Sequence, residues 1–154
     1  MFFADPVAAF ANVAAALRPG GRLALVCARA MEQCPWYVEP LAAVLEERPT
    51  PETAPSVMFS LADPAAVRSI LERAGFGPVR IETADVPLWF GADVGEALEF
   101  YVGAGPVRAA LEQQPQLTVD GVRRRLEAVL ARYASDSGVW IPGAHWLVTT
   151  TRAA

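Results

Sequence analysis

The sequence of 154 residues contains no lysine, one histidine and two cysteines, and each scarcity excludes a class of protein. All 13 basic residues are arginine, and 17 acidic residues outnumber them, which leaves a formal net charge of −4. A surface that binds nucleic acid through its phosphates has a basic excess or a basic stripe instead. Because His145 is the only histidine, neither a histidine-based catalytic triad nor a multi-histidine metal site can be assembled.

Long apolar runs are also missing, although 53% of the residues are hydrophobic. No run approaches the roughly 20 residues that a membrane-spanning helix needs, so we expect no membrane partner. Cys27 and Cys34 lack the spacing of metal ligands, and the N-terminus lacks the pattern of a signal peptide. We therefore expect no metal and a cytoplasmic location. The basic run 123–125 favours a solvated helix face over a nucleic-acid patch.

Two Asp-Pro pairs predict helix starts, because aspartate caps a helix and proline suits its first position. They are Asp5-Pro6 and Asp63-Pro64. Each predicted helix leads to a strand. The first strand is continuously apolar and is expected to be buried on both faces, as in a parallel sheet, whereas the second alternates and is expected near an edge. The sequence predicts an α/β sheet of three strands with flanking helices, with strands at 23–28, 79–83 and 146–151.

The segment of about 92–138 is predicted to be a helical insertion before the last strand, within a single domain that spans 1–154. Asp93 with Glu96 is typical of a helix-capping arrangement. The sequence Gly103-Ala104-Gly105 lies between two predicted helices and precedes a proline. It is interpreted as a turn between helices rather than as a phosphate or cofactor loop.

Three stretches resemble the C-terminal half of class I S-adenosylmethionine-dependent methyltransferases. The run 2–12 and the run 16–23, with its Leu-Arg-Pro-Gly-Gly turn, resemble the segment between the family's fourth and fifth strands. The run 143–148 resembles the final strand of a bacterial small-molecule branch. The resemblance implies a partial Rossmann-like methyltransferase sheet, made of the C-terminal three strands with the last one antiparallel. It also implies a small-molecule methyl acceptor.

The resemblance does not include the family's cofactor-binding half. Members hold S-adenosylmethionine with a glycine-rich turn after the first strand and an acidic residue at the end of the second, and both would lie upstream of Met1. S-adenosylmethionine is thus the expected cofactor of the complete enzyme, and no cofactor-binding residue is expected in this chain, which we expect to be inactive alone. The strand 23–28 would leave an open edge, which predicts a homo-oligomer or complementation by an N-terminal half.

Loops after the carboxyl ends of strands are where an acceptor would be aligned, and here they are 2–5, 29–37 and 87–91. For every aromatic candidate, packing in the core is the competing interpretation. For Arg29 the competing interpretation is a surface ion pair. The candidate substrate-lining residues are Phe3, Arg29, Trp36, Tyr37, Trp89 and Trp140.

Two other hypotheses remain open. The chain could be a non-enzymatic remnant that serves as a dimerising module or binds a small apolar ligand through the helical insertion and its tryptophans. Alternatively, the start codon has been assigned at an internal methionine or the chain is truncated, and the parent protein is an ordinary enzyme. The nucleotides upstream of Met1 would separate these hypotheses.

Overall fold

A computed structural model of the chain describes residues 3–54 and 56–153, and within them the architecture is mixed α/β. The helices are α1 (Pro6–Ala16), α2 (Pro35–Leu45), α3 (Pro64–Arg73), α4 (Val94–Gly103), α5 (Gly105–Gln113) and α6 (Val119–Leu130). The strands are β1 (Arg22–Ala28), β2 (Arg80–Thr83), β3 (Leu88–Gly91), β4 (Ala134–Ser135), β5 (Gly138–Ile141) and β6 (His145–Thr151). None of these helices has the length and apolarity that crossing a bilayer requires.

The described chain divides into two compact units. Among the described residues, the first unit consists of 3–33, 56–85 and 144–153, and the second consists of 34–54 and 86–143. The second unit therefore includes the segment of about 92–138 that was predicted as an insertion. The interpretation of 1–154 as a single C-terminal part of a methyltransferase domain stays a prediction.

The first unit is built on a three-stranded sheet in the order β1-β6-β2. Strand β6 is antiparallel to both neighbours, with Ala28 opposite His145 and Thr83 opposite Trp146. Strands β1 and β2 consequently run parallel to each other, and both end beside the start of β6. All three predicted strands form, and the last of them is antiparallel, as expected. Both pairings in this sheet are antiparallel, however, so the parallel pairing predicted for the first strand is wrong within the described residues.

Strand β1 corrects one prediction, because it lies at the edge of this sheet and is not buried on both faces. Leu23, Leu25 and Cys27 face the core, while Ala24 and Val26 face outward. Val26 is 58% exposed. The apolar run looked like a doubly buried strand because its outward positions also carry apolar side chains. Strand β2 lies at the other edge, as its alternating pattern predicted.

Both Asp-Pro helix starts are confirmed in the first unit. The Asp5 carboxylate accepts a hydrogen bond from the Ala8 amide at 3.0 Å, and the Asp63 carboxylate accepts one from the Ala65 amide at 2.9 Å. The capped helices α1 and α3 place apolar side chains against one face of the sheet. This core contains the buried residues Phe10, Ala14, Cys27, Leu61, Val67, Leu71, Ala74, Phe76, Val79 and Val148.

The second unit combines helices α2, α4, α5 and α6 with an antiparallel sheet in the order β3-β5-β4. Helices α4 to α6 confirm that the segment of about 92–138 is mainly helical, and the capping arrangement forms, since Asp93 accepts from the Glu96 amide at 2.9 Å. The strands were not predicted, and the segment 87–91, interpreted as a loop, contains β3. These strands have at most four residues each, too few to show a period. Fully buried core residues include Val122, Leu126, Leu130, Val139 and Ile141.

Candidate functional site

The carboxyl ends of β1 and β2 meet at one corner of the first unit. Ligands of open α/β sheets bind outside the carboxyl ends of strands, which makes this corner a candidate ligand site. Arg29 follows β1 directly, and Asp85 lies two residues beyond the end of β2. His145 and Trp146 open β6 between them. We call these four residues the carboxyl-end corner.

Arg29 is bound to Asp85 rather than presented to a ligand. Its Nη1 atom lies 2.8 Å from Asp85 Oδ2 and 3.1 Å from Asp85 Oδ1, and its guanidinium lies 4.9 Å above the ring of Trp146. The carboxylate neutralises the guanidinium charge, and the indole face stabilises it further. The ion pair that competed with an acceptor-binding role for Arg29 is thus confirmed, and it disfavours a fully charged anionic acceptor at this corner.

Asp85 is the group at this corner that can still accept a hydrogen bond from a ligand. Its side chain is half exposed, and its Oδ1 atom also accepts from the His145 backbone amide at 3.2 Å. A carboxylate offers about four acceptor positions, and the hydrogen bonds from Arg29 and His145 use three. Sequence reasoning missed Asp85; the signal was a polar residue just past the end of a strand.

The His145 side chain lies in the same corner and is 8% exposed. Its Nδ1 atom is buried and has no hydrogen-bond partner among the described residues. The Trp146 indole is fixed, because its Nε1 atom donates to the Ala62 carbonyl at 2.8 Å. The expectation that His145 is structural agrees with its burial at the start of β6.

Trp89 and Trp140 form an exposed pair in the second unit. They lie directly opposite each other in the register of β3 and β5 and are 50% and 40% exposed. Trp140 Nε1 donates to the Ser137 carbonyl at 3.1 Å. A Cβ atom at Gly138 would lie only 2.7 Å from Trp89 Nε1, so glycine at φ +110° lets the indole rest on the backbone. The packing interpretation is therefore wrong for this pair.

Trp36 and Tyr37 open α2, with ring centroids 5.8 Å apart in an edge-to-face arrangement. Tyr37 is buried and Trp36 is half-buried against the core of the second unit, which supports the packing interpretation. Phe3, in the first unit, is exposed and contacts the ring of Phe10 edge-on at 6.2 Å. Phe2, part of the predicted 2–5 loop, lies outside the described residues. Among the six candidates, the second unit places Trp36 beside Tyr37 and Trp89 opposite Trp140.

The Gly-x-Gly sequence between α4 and α5 lacks the setting of a glycine-rich cofactor loop. Gly103-Ala104-Gly105 joins helices α4 and α5 and follows no strand. A Cβ atom added at Gly103 or Gly105 would meet nothing within 4 Å, so neither position requires glycine for a close approach of another group.

In residues 3–54 and 56–153, no group of three His, Cys, Asp or Glu side chains could hold a metal ion.

The arginine run of α6 is partly neutralised within the second unit. Arg123 forms an ion pair with Glu99, and Arg125 forms one with Glu46. Both arginines retain partial exposure. The run is thus a solvated, ion-paired helix face, as its position on the polar side of the helix indicated.

The chain matches no protein-family model and no curated protein.

Proposed function

We propose that this chain is the C-terminal part of a class I S-adenosylmethionine-dependent methyltransferase that acts on a small molecule. The sheet of the first unit carries the proposal, because its last strand, β6, lies between β1 and β2 and is antiparallel to both. This is the arrangement that the resemblance implies for the C-terminal three strands of a partial Rossmann-like sheet. The quoted motifs fall at matching places, before β1 and at the start of β6.

The Leu-Arg-Pro-Gly-Gly turn supports the resemblance, because the fold requires both of its glycines. Gly20 has φ +73°, which disfavours other residues, and its amide donates to the Arg152 carbonyl at 3.2 Å. A Cβ atom at Gly21 would lie 2.8 Å from the Arg18 carbonyl oxygen. This turn anchors the entry of β1 beside the end of β6.

The open edge of β1 supports a need for a second half. A Rossmann-like sheet continues on the far side of this strand, and a cofactor-binding half would supply the continuation. Within the described residues no other strand pairs with that side. The chain is accordingly proposed to be inactive alone and to be completed by an N-terminal half.

The contribution of this chain to catalysis is proposed to be alignment of the acceptor. Methyl transfer from a sulfonium is an in-line displacement, for which the protein mainly orients the reactants and excludes water. At the carboxyl-end corner, the Asp85 carboxylate is fixed by Arg29 and can accept a hydrogen bond from an acceptor hydroxyl or amine. A base is needed only for those acceptors that must lose a proton, and no particular side chain is demanded for that role.

The nucleotides upstream of Met1 test this proposal. We expect an in-frame extension that encodes a strand, a glycine-rich turn and a helix. An in-frame stop codon followed by a ribosome-binding site would overturn the proposal and favour a stand-alone remnant.

A non-enzymatic module is the second candidate, and the exposed Trp89–Trp140 pair is the observation that favours it. Two half-exposed indoles opposite each other present an aromatic surface that a small apolar ligand could cover. Titration of the chain with anilinonaphthalene sulfonate, followed by fluorescence, tests this candidate. Saturable binding that Trp89→Ala abolishes and Phe3→Ala leaves intact would support it, and absence of saturable binding would remove it.

A further inference from the structure

The two edges of the sheet in the first unit are protected very differently. Strand β2 carries the exposed charges of Arg80 and Glu82, which pair with each other at 2.8 Å. Charged side chains on an edge strand discourage the addition of another strand. Strand β1 has seven residues, no proline, no acidic residue and one charge, that of Arg22. Its free edge is therefore open to pairing.

The hydrogen-bond pattern identifies which backbone groups of β1 face this edge. The Arg29 amide donates to the Ala144 carbonyl at 3.0 Å, and the Gly21 carbonyl accepts from the Arg152 amide at 2.8 Å. The backbone groups of Gly21 and Arg29, the residues on either side of β1, therefore point toward β6. Peptide groups alternate in direction along an antiparallel pair. The N–H and C=O groups at positions 23, 25 and 27 thus also face β6, and those at 22, 24 and 26 face the open edge. Ala28 also points outward, but it is buried.

We propose that two copies of this chain pair antiparallel through β1, with Ala24 opposite the partner's Ala24 at a two-fold axis. This register places Arg22 opposite the partner's Val26 and satisfies all three exposed outward positions of each strand. The small side chain of Ala24 lets the strands approach at the axis. The aliphatic stem of Arg22 covers the exposed Val26 of the other copy.

Charge favours this register for a second copy. The two Arg22 side chains would lie four residues apart along the ribbon, about 13 Å at the usual rise of a strand. That separation exceeds the Debye length of about 8 Å at physiological salt, so their repulsion is largely screened. No acidic or basic residue would face a like charge across the new pair, and the pairing is isologous, which closes the assembly at two copies.

Under the proposed function, on which this step rests, the same edge of β1 would also be the pairing site of the cofactor-binding half. The dimer occupies the edge of β1 that a cofactor-binding half would need, so self-association and completion of the enzyme exclude each other. Self-pairing can be measured on this chain alone, whatever the outcome for methyl transfer.

Sedimentation velocity of the full chain, from micromolar to millimolar concentration, tests the pairing with two variants. Ala24→Pro removes the outward N–H at the axis and leaves the hydrogen bonds to β6 intact, whereas the matched control Ala24→Val keeps that N–H. We expect the unmodified chain and Ala24→Val to dimerise. We expect the dimer affinity of Ala24→Pro to be at least about tenfold weaker, since each dimer loses two hydrogen bonds. A monomer throughout, or an Ala24→Pro dimer of unchanged affinity, would overturn the proposal.

Hydrogen exchange on the unmodified chain keeps the test valid if Ala24→Pro fails to fold. The amides of 22, 24 and 26 should exchange rapidly in dilute solution and become protected in concentrated solution, while those of 23, 25 and 27 stay protected in both. Concentration-dependent protection at 80–83 in place of 22–26 would contradict pairing through β1.

Discussion

Tyr101 is the buried tyrosine of α4 that ties this helix to the start of α2 within the second unit. Its hydroxyl donates to the Trp36 carbonyl at 2.7 Å, which satisfies a carbonyl in the first turn of α2. Burial raises the pKa of Tyr101 above its ordinary value of 10.0, with a smaller contribution from Tyr133. The native chain therefore keeps this proton at a pH where an unfolded chain has released it.

Replacing Tyr101 by phenylalanine is expected to lower the free energy of unfolding by about 0.5–1.5 kcal/mol at neutral pH, since one hydrogen bond is lost. Above pH 10 the unfolded state of the unmodified chain binds fewer protons than the native state, so its stability falls as the pH rises. Tyr101→Phe should show a shallower fall. Urea unfolding at several alkaline pH values measures both effects.

Tyr133→Phe measures how much a second tyrosine contributes to the same alkaline loss of stability. Burial and the nearby Glu39 carboxylate raise the pKa of Tyr133 to about 12, so this residue also contributes to the alkaline loss. An identical slope for Tyr101→Phe and the unmodified chain would show that Tyr101 ionises as readily in the native state as in the unfolded state.

Cys27 is a second residue whose behaviour follows from burial. It is almost fully buried on β1, its Sγ donates to the Leu61 carbonyl at 3.5 Å, and burial raises its pKa. The thiolate is the reactive form, so Cys27 should react slowly with Ellman's reagent at neutral pH. In a Cys34→Ser variant, which isolates this thiol, labelling should become fast only after urea is added. Fast labelling of the native variant would contradict the burial of this face of β1.

At the scale of elements, the Asp-Pro starts determine where two helices begin. Asp63 caps α3 through the Ala65 amide, and the helix then buries Val67 and Leu71. Asp63→Ala should cost about 0.5–2 kcal/mol of stability, whereas Asp63→Asn, which keeps a capping oxygen, should cost little. Thermal unfolding followed by circular dichroism compares them. Equal losses for both variants would show that the negative charge, not the cap, matters.

The β3–β5 ribbon depends on Gly138. An added Cβ atom would lie 2.5 Å from the Gly91 carbonyl oxygen, at a φ of +110°. Gly138→Ala is therefore expected to destabilise the second unit by more than about 1 kcal/mol. Gly103→Ala is the matched control, because a Cβ atom there meets nothing within 4 Å and alanine favours the helix. Similar urea midpoints for the two variants would contradict the tight approach of β3 and β5.

Local chemistry explains which elements could be predicted from the sequence. Asp5-Pro6, Asp63-Pro64 and the Asp93 cap specify their helices within a few residues, and all three are confirmed. The burial of β1 depended on which strands lie beside it, and its outward apolar residues concealed its place at the edge. The four-residue strands β3 and β5 are held by pairing across the chain and have no period of their own.

The candidate sites were harder to predict because their contacts are distant in sequence. Arg29 and Asp85 are separated by 56 positions, so neither residue alone reveals the ion pair. Trp89 and Trp140 come together only through the register of β3 and β5. Residue type alone does not predict which aromatic side chains are exposed, since Trp89 and Trp140 are partly exposed and Tyr37 is buried.

For the whole molecule, the proposal is that the sheet of the first unit continues in another half. Its last strand is antiparallel, as the resemblance implies, and its β2 edge carries the exposed pair Arg80 and Glu82, whereas its β1 edge carries only Arg22. The residues expected to hold S-adenosylmethionine would belong to another half. The central proposal is that this chain supplies the acceptor side of a methyltransferase and needs that half for cofactor binding.

Calorimetric titration with S-adenosylmethionine tests this proposal most directly, on the 154-residue chain and on a longer chain that includes the segment encoded in frame ahead of Met1. Circular dichroism should first show that both chains are folded. The account predicts saturable binding to the longer chain and none to the shorter one. Tight binding of S-adenosylmethionine to the 154-residue chain alone would contradict it.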